Sequence, residues 1–133
     1  LFVEAVLFRR AVGALTMARK AGAYVSGFEK VRAALSGRDK NEGGSTGDTV
    51  LLCASDAGED GRDKIARLAD RVGGVARVDI FDAAELGAAS GREHTVHAVV
   101  LPGGAAQHVL ETVRAYTAYR GDLAPAADID LMD

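Results

Sequence analysis

The stretch TVLLCASDAGEDGRDKIARLADRVGGVARVDIF, residues 49–81, decides the fold. Its first seven residues form a short apolar run of the length that a fully buried strand requires. EDGRDKIARLADRVG then sets Ile65, Leu68, Ala69 and Val72 on one face of a helix. VARVDIF, carrying Val75, Val78 and Ile80, reads as a second strand. A strand, a helix and another strand joined by short turns point to the α/β class.

Outward on the N-terminal side, Phe2, Val6, Leu7, Val12, Leu15 and Ala18 recur at helical spacing over residues 2–20. Gly13 opposes that helix by its intrinsic cost of about 1 kcal/mol. Gly22 stands where a left-handed residue would end it. AYVS (23–26) is long enough only for a short strand. Ser26 is expected to cap a following helix whose Val31, Ala34 and Leu35 face the core. GRDKNEGGSTGD (37–48) is polar, rich in glycine and without period, hence a loop.

On the C-terminal side, Asp82 is placed to cap a short helix, AAELGAAS, with Gly91 just beyond it. TVHAVVL (95–101) reads as a further buried strand and AAQHVLETVRAYTAYR (105–120) as the closing helix. Four strands alternating with helices predict a three-layer α/β/α sandwich around a central four-stranded mixed sheet. The expected organisation is one domain over residues 1–120, followed by an acidic tail over 121–133 that holds four Asp.

The chain of 133 residues is 48% apolar and has a single cysteine. That is enough for one core without a disulfide and fits a reducing compartment, so a cytoplasmic location is expected. Cys53 lies in an apolar run and reads as a core residue. No apolar run reaches the roughly 20 residues of a membrane span, and LFVEAVLFRR lacks the order of a signal peptide. The absence of an initiating Met suggests a domain taken from a longer chain. The net charge of −3 is unevenly spread: residues 1–40 hold eight basic and three acidic groups, and the acids dominate thereafter. Such segregation suggests a polyanion-facing end.

Candidates for catalysis are thin. His94 and His97, three apart on an extended segment, point to opposite faces, and His108 has no ligand set around it. No metal or cofactor is therefore expected. GGSTG lacks the Lys-Ser/Thr ending of a phosphate loop and precedes a strand. LPGGAAQ joins a strand to a helix and leaves an anion or nucleotide site as an alternative. No serine stands in a nucleophile elbow, and Glu59 and Asp60 suit a helix start. The chain is expected to be non-catalytic. Binding is better served: Arg19 and Lys20 end the first helix, while Lys30 and Arg32 lie in the first turns of the second. With the free N–H groups near Gly27 and Phe28, they are expected to share one edge as a platform for phosphates and base edges. Equally, Arg19 and Lys20 suit the negative end of their own helix.

ALTMARKAGAYVSGFEKVRAAL, VLLCASDA and LGAASGREHTVHAVVL resemble three signature stretches of the L-seven-Ae superfamily of kink-turn RNA-binding ribosomal proteins, related to L-thirty-e. The likeness spans about residues 10–120 and is greatest to bacterial members, the C-terminal halves of two-domain proteins that begin with a YlxR-type domain. It implies a binding mode in which the residues opening the second helix, here Ser26, Gly27, Phe28, Glu29 and Lys30, enter an RNA groove at tandem sheared G·A pairs. The loop before the last strand, here Arg92, Glu93, His94, Thr95 and Val96, would pack on a flipped-out nucleotide. This chain departs from the family at three positions: Glu29 stands where Asn is usual, Lys30 at the following Glu, and Ala33 at the Lys. The implied partner is structured RNA, with ribosomal RNA and kink-turns as candidates; a protein-interaction adaptor of the same fold is the alternative.

Overall fold

The computed structural model describes residues 2–40 and 49–123. Helix α1 (Phe2–Lys20) leads into strand β1 (Tyr24–Ser26) and helix α2 (Phe28–Lys40). Strand β2 (Thr49–Cys53), helix α3 (Glu59–Val72) and strand β3 (Val75–Val78) follow. Helix α4 (Ala83–Ser90), strand β4 (His97–Val100) and helix α5 (Gly104–Leu123) complete the order. The strands form one mixed sheet in the order β1-β4-β2-β3. β2 runs parallel to β3, from Thr49 opposite Val75 to Leu52 opposite Val78. β4 is antiparallel to both of its neighbours, setting Ser26 opposite Ala98 and Cys53 opposite His97.

Alternation along the strands divides the core in two. Val50, Leu52, Ala98 and Val100 pack with α1, α4 and α5, around Leu15, Phe81 and Leu86. Leu51, Cys53 and Val99 pack on the other face with Val31 and Leu35 of α2 and with Ile65, Leu68 and Ala69 of α3. The fold is thus the α/β/α arrangement expected, with five helices about a four-stranded mixed sheet among the described residues. The expected apolar face of α3 is the buried one; Ile65 and Leu68 alone stabilise it by about 1.5–3 kcal/mol each.

Four boundaries differ from expectation. α2 continues through residues 37–40, so only the remainder of the 37–48 loop, residues 41–48, lies outside the described residues. α5 extends to Leu123, and the tail beyond it lies outside them too. β3 ends at Val78, because Phe81 leaves the ladder to enter the core. Ser26 does not cap α2. It is the last paired residue of β1, and Gly27 takes the capping position, its carbonyl accepting from the Val31 N–H at 2.9 Å. Gly22 does end α1: at φ 78° it donates to Arg19, while Ala23 donates to Ala18, which together make a Schellman turn.

Candidate nucleic-acid interface

One end of the sheet gathers the C-terminal ends of β1, β2 and β3 with the N-terminal end of β4, following from the pairing above. The turn after β1 is fixed there because the Gly27 N–H donates to the His97 carbonyl at 3.0 Å, one step beyond the last ladder pair. Gly27 has φ +102°, which L side chains rarely adopt, although a Cβ there would meet nothing within 4 Å. The demand is conformational rather than steric. As Gly27 is the cap, the N–H groups of Phe28, Glu29 and Lys30 have no partner within the helix.

Phe28 is half-buried. Its ring packs with Val31, Leu35 and their neighbours and meets the His97 ring edge-on at 5.8 Å between centroids. It therefore closes the second core, and only part of it reaches the surface. His97 is 4% exposed and its Nε2 has no hydrogen-bond partner among the described residues. Burial, and secondarily the Arg62 guanidinium, push its pKa below the usual 6.5. Glu29 and Lys30 are exposed, and Glu29 is held by Arg32 at 2.9 Å.

The loop that lies beside this turn is shaped by α4. Asp82 and Glu85 form a reciprocal capping box at the start of α4, and Gly91 ends the helix in the left-handed region. The Arg92 N–H donates to the Gly87 carbonyl at 2.8 Å, and the Thr95 N–H to the Ala83 carbonyl at 3.0 Å. The loop thus doubles back along the helix. Gly87 permits the approach, since a Cβ there would lie 2.5 Å from the Glu93 carbonyl oxygen. The Val96 carbonyl accepts from Ala54 at 2.8 Å, which ties the loop to β2.

Arg92, Glu93 and His94 are exposed, as is Val96 at 40%. Thr95 is not: at 5% exposure it is a loop anchor, and the expectation that it touches a nucleotide is corrected for its side chain. The structure therefore brings together the 27–30 turn and the 92–96 loop. Arg19 and Lys20 are exposed but join β1 at its opposite end, across three strand residues and about 10 Å. The Arg19 guanidinium lies against Gly91, within 2.6 Å of where a Cβ would be, and so belongs with the start of the loop. Tyr24 beside it accepts from Ser90 at 3.0 Å and donates to the Leu86 carbonyl, and burial raises its pKa.

A groove of about 420 Å³ between α2 and α3 was not foreseen. Phe28, Ile65 and Leu68 lie along it, with Arg32, Lys64, Arg67 and Arg71 as its basic lining. Counting charge along the chain hides it, because α3 sits in the acidic part. The legible signal is the spacing of Lys64, Arg67 and Arg71, three and four apart on one side of a helix. Across α3, Glu59, Arg62, Asp63, Arg77 and Asp79 line a second cleft with Cys53. Burial raises the Cys53 pKa, which opposes formation of the thiolate. Among the described residues no three His, Cys, Asp or Glu side chains are grouped to hold a metal, and no helix is long and apolar enough to cross a membrane.

No family model and no curated protein matches the chain. Among solved structures, a protein with unknown function from Bacillus halodurans C is similar to it, at 19% identity and a TM-score of 0.66. The likeness covers 79% of this chain and 97% of that one, and at this identity it concerns the fold alone.

Proposed function

We propose that this chain is a non-catalytic RNA-binding module that recognises structured RNA where the helix is irregular. The observation that carries the reading is the Gly27–His97 hydrogen bond, with its Ala54–Val96 counterpart, which sets the helix-opening turn beside the 92–96 loop. RNA is read where bases are splayed and the groove is open, and such a site needs two surfaces. The α2 start supplies unpaired N–H groups and Lys30 for phosphate and base edges. The loop supplies Arg92 and His94 for the backbone and Val96 as an apolar seat for an unstacked base. Glu29 accepts from a base amino group but cannot donate as Asn does. The reading is therefore structured RNA in general, ribosomal RNA included, rather than the kink-turn alone. Its single buried, neutral thiol suits a reducing cytoplasm.

The test is fluorescence anisotropy with two RNAs, one carrying an internal loop with tandem sheared G·A pairs and one a matched duplex. Tighter binding to the first is expected, weakening between about 50 and about 200 mM salt as counterion release requires. Lys30→Glu with Arg92→Glu is expected to remove it at an unchanged circular dichroism spectrum. Equal and negligible binding to both RNAs would end the reading.

A further inference from the structure

We infer that the α2–α3 groove is a second RNA-contacting surface, a phosphate track that takes the duplex flanking the irregular element; this rests on the RNA-binding reading above. The charges that α3 turns toward the groove are all basic, whereas those on its β3 side are mixed. Lys64, Arg67 and Arg71 line the groove toward α2, whereas Glu59 and Asp63 line the cleft on the β3 side. Outside the groove, Arg62 and Arg77 each face a carboxylate, Asp79 at 3.7 Å and Asp70 at 3.9 Å. Inside it, Lys64, Arg67 and Arg71 are exposed and have no ion-pair partner among the described residues. The one carboxylate that lines the groove among the described residues, Glu29, is held by Arg32. Cations converging on one cleft repel each other unless an anion sits between them.

The shape selects the anion. From Lys64 to Arg71 the helix rises about 10 Å, so the cations form a line rather than a cage for a single phosphate. The groove opens at Phe28 and Glu29, in the first turn of α2, and is continuous with the proposed base-contacting turn. Its floor residues Ile65 and Leu68 are buried in the core, at 1% and 9% exposure. Little apolar surface is left for an amphipathic peptide, which would need anchors in such a groove. A charged backbone needs only the rim.

The experiment uses the whole chain and an RNA hairpin that has the sheared G·A internal loop between two stems. For Lys64→Ala/Arg67→Ala/Arg71→Ala, affinity is expected to fall at least about tenfold at low salt. The slope of log affinity against log salt should flatten by about 2 to 3, one step per lost phosphate contact. Preference for the internal loop over plain duplex should persist, because phosphate contacts carry no sequence information. In the unmodified chain, adding the hairpin should shift the amide resonances of Lys64, Arg67 and Arg71 as well as those of the turn. Unmodified affinity and slope in the triple variant, while the hairpin still binds, would overturn the track and leave the turn-and-loop site standing. Failure of the unmodified chain to bind any RNA would end both. Shifts along the groove with a polyglutamate peptide but not with RNA would make it a protein-docking surface and overturn the inference.

Discussion

At the scale of single residues, two glycines in helices show how packing overrides propensity. Gly13 in α1 and Gly87 in α4 carry the same intrinsic penalty of about 1 kcal/mol relative to Ala. A Cβ on Gly13 would meet nothing within 4 Å, so Gly13→Ala is expected to stabilise the protein by about 0.5–1 kcal/mol. A Cβ on Gly87 would press on the backbone of Glu93 and His94 at 2.5–2.8 Å. The overpacking cost of about 1–3 kcal/mol exceeds the helical gain, and Gly87→Ala is expected to lower stability and displace the loop. Thermal melts of the two variants, moving in opposite directions, check this. A Gly87→Ala variant melting with Gly13→Ala would show that the loop gives way at no cost.

At the scale of elements, α4 is the short helix on which the loop is built, and its start is its strongest point. Asp82 Oδ1 accepts from the Glu85 N–H at 2.8 Å, and Glu85 Oε1 accepts from the Asp82 N–H at 2.9 Å. Asp82→Ala is expected to cost about 1 kcal/mol, read as a lower denaturant midpoint at unchanged slope. The Ala83 N–H still donates to Asp56 Oδ1 at 2.9 Å, so the helix should persist while the Thr95 amide, which donates to the Ala83 carbonyl, exchanges faster. This cap was legible in the sequence, as were α3 and its buried face, because both depend on neighbours within one helix. What was not legible depends on partners far along the chain. Ser26 looked like a cap because local rules favour Ser, but β4 draws it into the ladder and passes the cap to Gly27. That Phe28 is half-buried over His97 depends on a residue nearly seventy positions away. Lys64, Arg67 and Arg71 became a feature only once α2 supplied the other wall.

At the scale of the whole molecule, the two faces of the sheet are held differently. The α1, α4 and α5 face is tied across by Phe8, which meets Phe81 at a tilt and Tyr116 edge-on, and by Arg120 to Glu4 at 2.8 Å. The α2 and α3 face has its weak point at the site end, where His97 is buried with an unpartnered Nε2 under Phe28. Charging that ring inside the protein is opposed by burial and by Arg62, so its folded pKa lies below the unfolded 6.5. Between those two values the unfolded chain binds the extra proton and the folded one does not, so stability rises with pH in that window. Above about 6.5 both states are neutral and the contribution of His97 is flat. As pH falls from there toward the folded value, stability is lost, by at most about 1.4 kcal/mol per unit. His97→Leu removes the proton site and the unpaired nitrogen, worth about 1–3 kcal/mol, while losing the ring contact with Phe28, worth about 0.5–1.5 kcal/mol. The variant should therefore match or exceed the unmodified protein at pH 7, and its margin should widen as pH falls below about 6.5, until the folded-state value of His97 is reached. Urea unfolding of both proteins at half-unit steps gives that difference directly, with the carboxylates common to both cancelling. A difference that stays constant across the range would mean that His97 takes up its proton as readily folded as unfolded, and that the turn above it is open to water.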